Sequence, residues 1–228
     1  MIIVTGGSSG LGKYVTDHLN GQNLATLTLG RSCNDNFAGL GKSLTCDVSD
    51  ISNLRRVAKC VKERNYQIDG LINCAGVASM NLTAMMPDET VRKLLDVNLY
   101  GTIACCQRFL PFLIRNKRGH IINFSTIAVP LGLAGEAVYV ASKSGVEAFS
   151  KVFAKEVANY NISVNCIAPG PIETSLIAGV PKDKIKNIVE RQIIRKQYTP
   201  SDVCKLVDLI LDDKASALTG HVFNLGGV

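Results

Sequence analysis

Short apolar, β-branched runs alternate along the chain with longer segments of helical period, the pattern of repeated βα units around a parallel sheet. Strands are predicted near residues 1–5, 24–29, 43–46, 69–73, 119–124, 162–168 and 221–225. Helices fall between them, near 11–20, 51–65, 87–116, 138–160, 182–194 and 201–212. Each is long enough for the crossover that parallel pairing requires. Seven strands and six helices fit a doubly wound α/β sheet with helices on both faces. No linker rich in Pro, Gly or Ser divides the chain and no repeat appears, so residues 1–228 read as one domain. The stretch 176–200 is the least sheet-like and is expected to form a helical lid.

Composition narrows the class. A chain of 228 residues with 46% hydrophobic and 19% charged side chains, and a mean hydropathy of +0.18, has ample material for a core and is not a disordered polymer. The net charge of +6 favours anionic partners but lacks the clustering of a nucleic-acid surface. The eight cysteines show no C-x-x-C spacing, which points to free thiols in a reducing compartment. Met1 to Val4 lead directly into a glycine loop without the features of a signal peptide, and no apolar stretch approaches a membrane span. A soluble cytoplasmic protein that binds neither nucleic acid nor membrane is expected.

The chemistry starts at Thr5-Gly6-Gly7-Ser8-Ser9-Gly10-Leu11-Gly12, between the first strand and the first helix. That is the context of a dinucleotide-binding Rossmann fold: glycines let the backbone approach a pyrophosphate, and the helix start offers unpaired N–H groups. A free ribose 2′-OH would ask for a carboxylate at the end of the second strand. The chain has Leu29-Gly30-Arg31-Ser32 there, and a guanidinium suits a 2′-phosphate, so NADP(H) is expected over NAD(H). The competing reading leaves Arg31 in solvent and turns Asp35 to the ribose.

Tyr139 and Lys143 stand four residues apart in a predicted helix and therefore share a face. A lysine there would draw the tyrosine pKa down toward working pH and make Tyr139 a general acid in reduction. Together with Asp47-Val48, Asn73-Cys74-Ala75-Gly76 and the glycine loop, these motifs resemble the classical short-chain dehydrogenase/reductases over essentially the whole chain. Pro169-Gly170-Pro171-Ile172-Glu173-Thr174 and the closing 218–227 are most similar to those of the 3-oxoacyl-carrier-protein reductases.

The resemblance implies a carbonyl oxidoreductase and assigns roles by position. The loop Gly6, Ser8, Ser9, Gly10, Leu11 and Gly12 would hold the pyrophosphate. Asp47 and Val48 would meet the adenine, with Asp47 as a plain turn former the alternative. Asn73, Ala75 and Gly76 would pack along the cofactor ribose, which Lys143 would also contact. Pro169, Gly170, Ile172 and Thr174 would close over the nicotinamide. Asn98 would support a water-mediated proton relay, or else be a core amide.

The family's carbonyl-polarising serine usually lies thirteen residues before the tyrosine. That position is Thr126, with Ser125 one residue earlier, and both remain candidates. The substrate would be a small or carrier-bound ketone, best a 3-oxoacyl thioester. An acidic one would suit the cations Lys182, Lys184, Lys186, Arg191, Arg195 and Lys196 of the lid. A sugar or polyol dehydrogenase, or a non-catalytic binding module, are the alternatives. Family analogy implies a homotetramer or homodimer.

Overall fold

The computed structural model describes residues 1–174, 177–215 and 217–228. Seven strands, β1 (Ile2–Thr5), β2 (Thr26–Gly30), β3 (Gly41–Thr45), β4 (Gly70–Asn73), β5 (Gly119–Phe124), β6 (Ile162–Ala168) and β7 (Val222–Asn224), form one sheet of order β3-β2-β1-β4-β5-β6-β7. Every pairing is parallel. The helices are α1 (Gly10–Gly21), α2 (Ile51–Glu63), α3 (Asp88–Leu95), α4 (Gly101–Asn116), α5 (Ala128–Leu131), α6 (Ala137–Val157), α7 (Lys182–Glu190) and α8 (Pro200–Leu211).

The central strands are buried on both faces, which is why they are rich in apolar, β-branched residues without a polar alternation along one face. On one face Ile3, Leu27, Leu71, Ile121 and Val164 pack against Leu54 and Val57 of α2, Phe109 and Leu113 of α4 and Phe153 of α6. On the other, Val4, Ile72, Ile122 and Ile167 meet Val15 and Leu19 of α1 and Val203, Val207 and Ile210 of α8. Alternate residues of each strand serve opposite layers. Thr199 starts α8 with a capping box to Asp202, followed by Pro200. Among the described residues no helix is long and apolar enough to cross a membrane.

The strand boundaries lie within two residues of those expected. The helices differ more. The single helix expected over 87–116 is split by a π-helical turn, Asp96–Tyr100, between α3 and α4. Periodicity could not show this, because a single π-helical turn is a local widening that no residue type marks. The short α5 was not foreseen, α7 stops at Glu190 rather than 194, and α6 gives way to a 3₁₀ turn at Ala158–Tyr160. Leu176, where the expected lid begins, lies outside the described residues.

Strand order reverses at β1, which has β2 on one side and β4 on the other. The crossovers leave in opposite directions there, and a crevice opens at the carboxyl ends of β1 and β4.

Candidate active site

The crevice is a cleft of about 520 Å³ that runs from the glycine loop past Arg31 and Asp47 to Tyr139 and Lys143, and is roofed by residues 169–174 and the α7 segment. At its outer end the glycine loop fits closely against the strands. Gly6 has φ +67°, and a Cβ there would come within 2.8 Å of the Ala75 backbone, which is tied to β1 by Ala75 N–H donating to Thr5 Oγ1 at 3.1 Å. At Gly12 a Cβ would come within 2.4 Å of the Gly6 carbonyl oxygen, so helix and loop can only meet there without a side chain. Ser9 caps α1 without a side-chain hydrogen bond, and no acidic residue stands in the first turn. The helix start is thus left as a positive, donor-rich end suited to an anion.

At the end of β2, exposed Arg31 lines the cleft. Asp35 does not turn toward it: its carboxylate accepts from Thr45 N–H at 2.8 Å and from Arg56 at 3.3 Å, contacts that hold its pKa below the usual carboxylate range. Ser8 sits against Gly30, where a Cβ would come within 2.5 Å of its hydroxyl. Asp47 lines the cleft and also makes a turn, accepting from Ser49 N–H at 2.9 Å and Ser49 O–H at 2.6 Å. The turn of the second reading is therefore present, and the cleft-wall position is compatible with the first. The residues present fit a dinucleotide with a 2′-phosphate: a side-chain-free cradle, an uncapped helix start and an uncommitted guanidinium.

At the inner end, three successive residues at the tip of β5 engage three residues spaced by four along α6. The Phe124 carbonyl accepts from Lys143 Nζ at 2.8 Å. The Ser125 hydroxyl donates to Glu147. Thr126 lies beside Tyr139 in the cleft wall, and its hydroxyl favours the phenolate. Thr126 Oγ1 also accepts from Ala128 N–H at 3.2 Å, which occupies a lone pair and leaves the hydroxyl proton free to be donated elsewhere. Of the two hydroxyls that the sequence left open, only that of Thr126 is presented to the tyrosine.

The electrostatics differ from expectation in one respect. Tyr139, 9% exposed, has its pKa pushed up to about 12 by burial first and the Glu136 charge second, with the Thr126 hydroxyl opposing. Burial lowers the pKa of Lys143, 5% exposed, to about 8. The expected drop of the tyrosine pKa is therefore absent. The ammonium is committed to the Phe124 carbonyl, and desolvation of the phenolate dominates.

Asn73, expected along the cofactor ribose, and Asn98, expected in a proton relay or as a core amide, do not line the cleft. Asn73 is buried behind it, donating to Asn123 Oδ1 at 2.8 Å, so it joins β4 to β5 instead of packing along a ribose. Asn98, fully buried in the π-helical turn, spends its amide on the protein. Its Oδ1 accepts from Val77 N–H at 2.8 Å, and its Nδ2 donates to the Val77 carbonyl at 2.9 Å and to Ser142 at 3.0 Å. It fixes the loop after β4 against α6. Gly76 lies between, where a Cβ would come 3.3 Å from Asn98 Oδ1 and 3.5 Å from Lys143 Nζ.

The remaining expected residues line the cleft, Val48 and Ile172 among them. Gly170 leaves room for the buried Gln192 side chain, whose Oε1 a Cβ would approach to 2.7 Å. Sequence reasoning missed Glu136 in the cleft wall and Glu147 behind it. Glu147 had a signal: it continues the Tyr139, Lys143 spacing by one more turn, a carboxylate on the buried side of α6. Of the six cations expected in the lid, Lys186 pairs with Glu190 at 3.9 Å and Lys196 with Asp202 at 3.6 Å. Ile177, Val180, Ile185 and Ile188 face the cleft instead.

Comparison with known proteins agrees with this geometry. The family model described as enoyl-(acyl carrier protein) reductase matches residues 13–227. The 3-oxoacyl-[acyl-carrier-protein] reductase FabG of Thermotoga maritima is 31% identical, over 99% of this chain and 95% of its own length. Carbonyl reductase family member 4 of Xenopus tropicalis is 34% identical, over 98% of this chain and 95% of its own. The structure of a variant actinorhodin polyketide ketoreductase with NADPH has a TM-score of 0.87 at 26% identity, covering 99% of this chain and 95% of that one. A matching family model, full-length relatives and a dinucleotide cleft at the switch point of a parallel sheet concur: the chain belongs to the short-chain dehydrogenase/reductase family of NAD(P)-dependent oxidoreductases.

Proposed function

We propose that the protein reduces a ketone to a secondary alcohol with NADPH, Tyr139 giving the proton to the carbonyl oxygen while Thr126 polarises it. The observation that carries this reading is the convergence of the Thr126 and Tyr139 hydroxyls at the inner end of the cleft, one turn of α6 from a buried lysine. NADPH, when bound, supplies the hydride. The protein supplies everything else. The loop 6–12 holds the pyrophosphate, Arg31 pairs with the 2′-phosphate, Asp47 meets the adenine, and Ala75 with Gly76 lies along the ribose. Pro169, Gly170, Ile172 and Thr174 cover the nicotinamide. Lys143, charged below about pH 8, replenishes the proton that Tyr139 donates. Asn98 is a positioning residue that holds Val77 and Ser142 so that Gly76 and Lys143 keep their places. Residues 177–200 act as a lid. Leu95 and Tyr100 beside α4, and Val152 of α6, are exposed apolar side chains that support self-association as a homodimer or homotetramer.

A 3-oxoacyl thioester is the favoured substrate, because the FabG relatives carry that activity in their name over nearly their full length. The test is steady-state oxidation of NADPH with an acetoacetyl thioester, with NADH and a crotonyl thioester run in parallel. Ketone-dependent turnover that prefers NADPH is expected. Turnover with the enoyl thioester alone, or none with either ketone or enoyl substrate, would sink the ketoreductase reading.

Arg31 gives a second expected result. Changing Arg31→Asp replaces the partner of the 2′-phosphate with a partner for a free 2′-OH, and the ratio of kcat/KM for NADPH over NADH should fall by about 100-fold or more. A ratio unmoved by the change would remove Arg31 as the selector.

A further inference from the structure

Between α7 and the loop that leads into α6, a second cavity of about 120 Å³ adjoins the substrate end of the cleft, sharing Met80, Leu133, Glu136 and Ile188 with it. Its polar groups are Glu136, Lys184, Asn187 and Arg191. Among the described residues none of these pairs with another. Lys184 Nζ reaches the Met80 thioether at 3.5 Å, and Arg191 places one Nη on the Leu131 carbonyl at 3.0 Å, which leaves most of the guanidinium free. Among the described residues the Glu136 carboxylate receives no hydrogen bond, although the residue is half-buried. Burial raises its pKa, and the Lys184 charge draws it back. A carboxylate and an ammonium thus face one another across a space that they do not close.

Unpaired charge at a half-buried site is costly, and a ligand that both donates and accepts relieves the cost by pairing with both signs. A plain alkyl chain does neither and would desolvate Glu136 further. A hydroxyl does both. The space is too small for a nucleotide or a phosphopantetheine arm and holds roughly a two- or three-carbon segment with its oxygens. Glu136 acts electrostatically on Tyr139, so whatever occupies the cavity lies close to the reacting carbonyl.

We propose that this side cavity receives the part of the substrate beyond the reacting carbonyl, and that this part is a hydroxylated chain. Its O–H donates to Glu136 and its oxygens accept from Lys184 and Arg191. The inference rests on the ketone-reductase reading and narrows it from ketones at large to oxygenated ones.

The test uses a matched pair of N-acetylcysteamine thioesters, 3-oxohexanoyl and 5-hydroxy-3-oxohexanoyl. Wild-type protein should show a kcat/KM about tenfold higher for the hydroxylated member, the size of one charge-assisted hydrogen bond in a partly wet site. Lys184→Met and Glu136→Leu should each bring that ratio toward one. Lys184 is exposed, so its loss does not threaten folding. Equal kcat/KM in the wild type, or a ratio that survives both substitutions, overturns the proposal while leaving the reductase intact. If neither thioester oxidises NADPH, the reductase reading fails, and equilibrium titration of the same two compounds into protein loaded with NADP⁺ decides the cavity. Tighter, Lys184-dependent binding of the hydroxylated compound supports it, and equal affinity or no binding refutes it.

Discussion

Tyr139→Phe is expected to lower kcat for ketone reduction by about 10³-fold while leaving NADPH affinity within a few-fold of wild type. The change removes one oxygen from a buried side chain, so the apolar contacts that Tyr139 makes with Met86 and Leu94 persist. What goes is the phenolic proton donor beside Thr126, and positioned general acids contribute roughly 10²–10⁴. Stopped-flow oxidation of NADPH gives the rate, and fluorescence titration gives the affinity. Retained turnover would show that the proton comes from elsewhere, and lost binding would show that the tyrosine serves the cofactor instead.

A pH profile extends this result. With Tyr139 pushed up to about 12, the phenol keeps its proton through the neutral and alkaline range. Lys143, drawn down to about 8, loses its proton within that range. Its ammonium is present below that value and lost above it, so kcat/KM for reduction should fall on the alkaline side with an apparent pKa near 8. Lys143→Arg should move that limb upward, since a guanidinium keeps its charge. An alkaline limb unmoved by the substitution would dissociate Lys143 from the proton supply.

The second large effect concerns the carbonyl-polarising hydroxyl. Thr126→Val keeps the shape and removes the donor, and should cost about 10²–10³ in kcat, as loss of a single donor to a developing oxyanion typically does. Thr126→Ser should restore most of it. Ser125→Ala should leave kcat within a few-fold but lower the denaturant midpoint. It strips the half-buried Glu147 carboxylate of its donor, an unsatisfied group worth about 1 kcal/mol at such exposure. The reverse outcome, with Ser125→Ala crippling turnover and Thr126→Val sparing it, would mean that the β5 tip turns over when substrate binds.

The division between what the sequence showed and what it hid follows from the physics of each element. Strand positions were legible because two-sided burial leaves β1, β4 and β6 rich in apolar, β-branched residues, and the cofactor end was legible because glycine loops are local. The π-helical turn at 96–100 was not, since no residue type marks one and the contacts of Asn98 with Val77 and Ser142 that accompany it are long-range. Thr126 and Ser125 could not be separated by counting back from Tyr139 without knowing the length of the intervening loop. The tyrosine pKa followed burial and Glu136, neither of which the spacing of Tyr139 and Lys143 contains. Asn73 was misplaced because a motif names neighbours in sequence, while the sheet sends alternate side chains to opposite layers.

The three contacts between the β5 tip and α6 also bear on how this enzyme can change over evolutionary time. Phe124, Ser125 and Thr126 are consecutive, and their partners sit at a fixed four-residue pitch, so the chemical centre behaves as one indexed unit. Inserting a residue within it would take at least one of these pairs out of register. The stretch 127–136 between the two halves carries none of that indexing, yet it supplies Leu133 and Glu136 to the substrate wall. Insertions and substitutions there can reshape this wall of the cleft while the contacts between the β5 tip and α6 stay in register. Substrate range is therefore free to drift along a path that leaves catalysis intact.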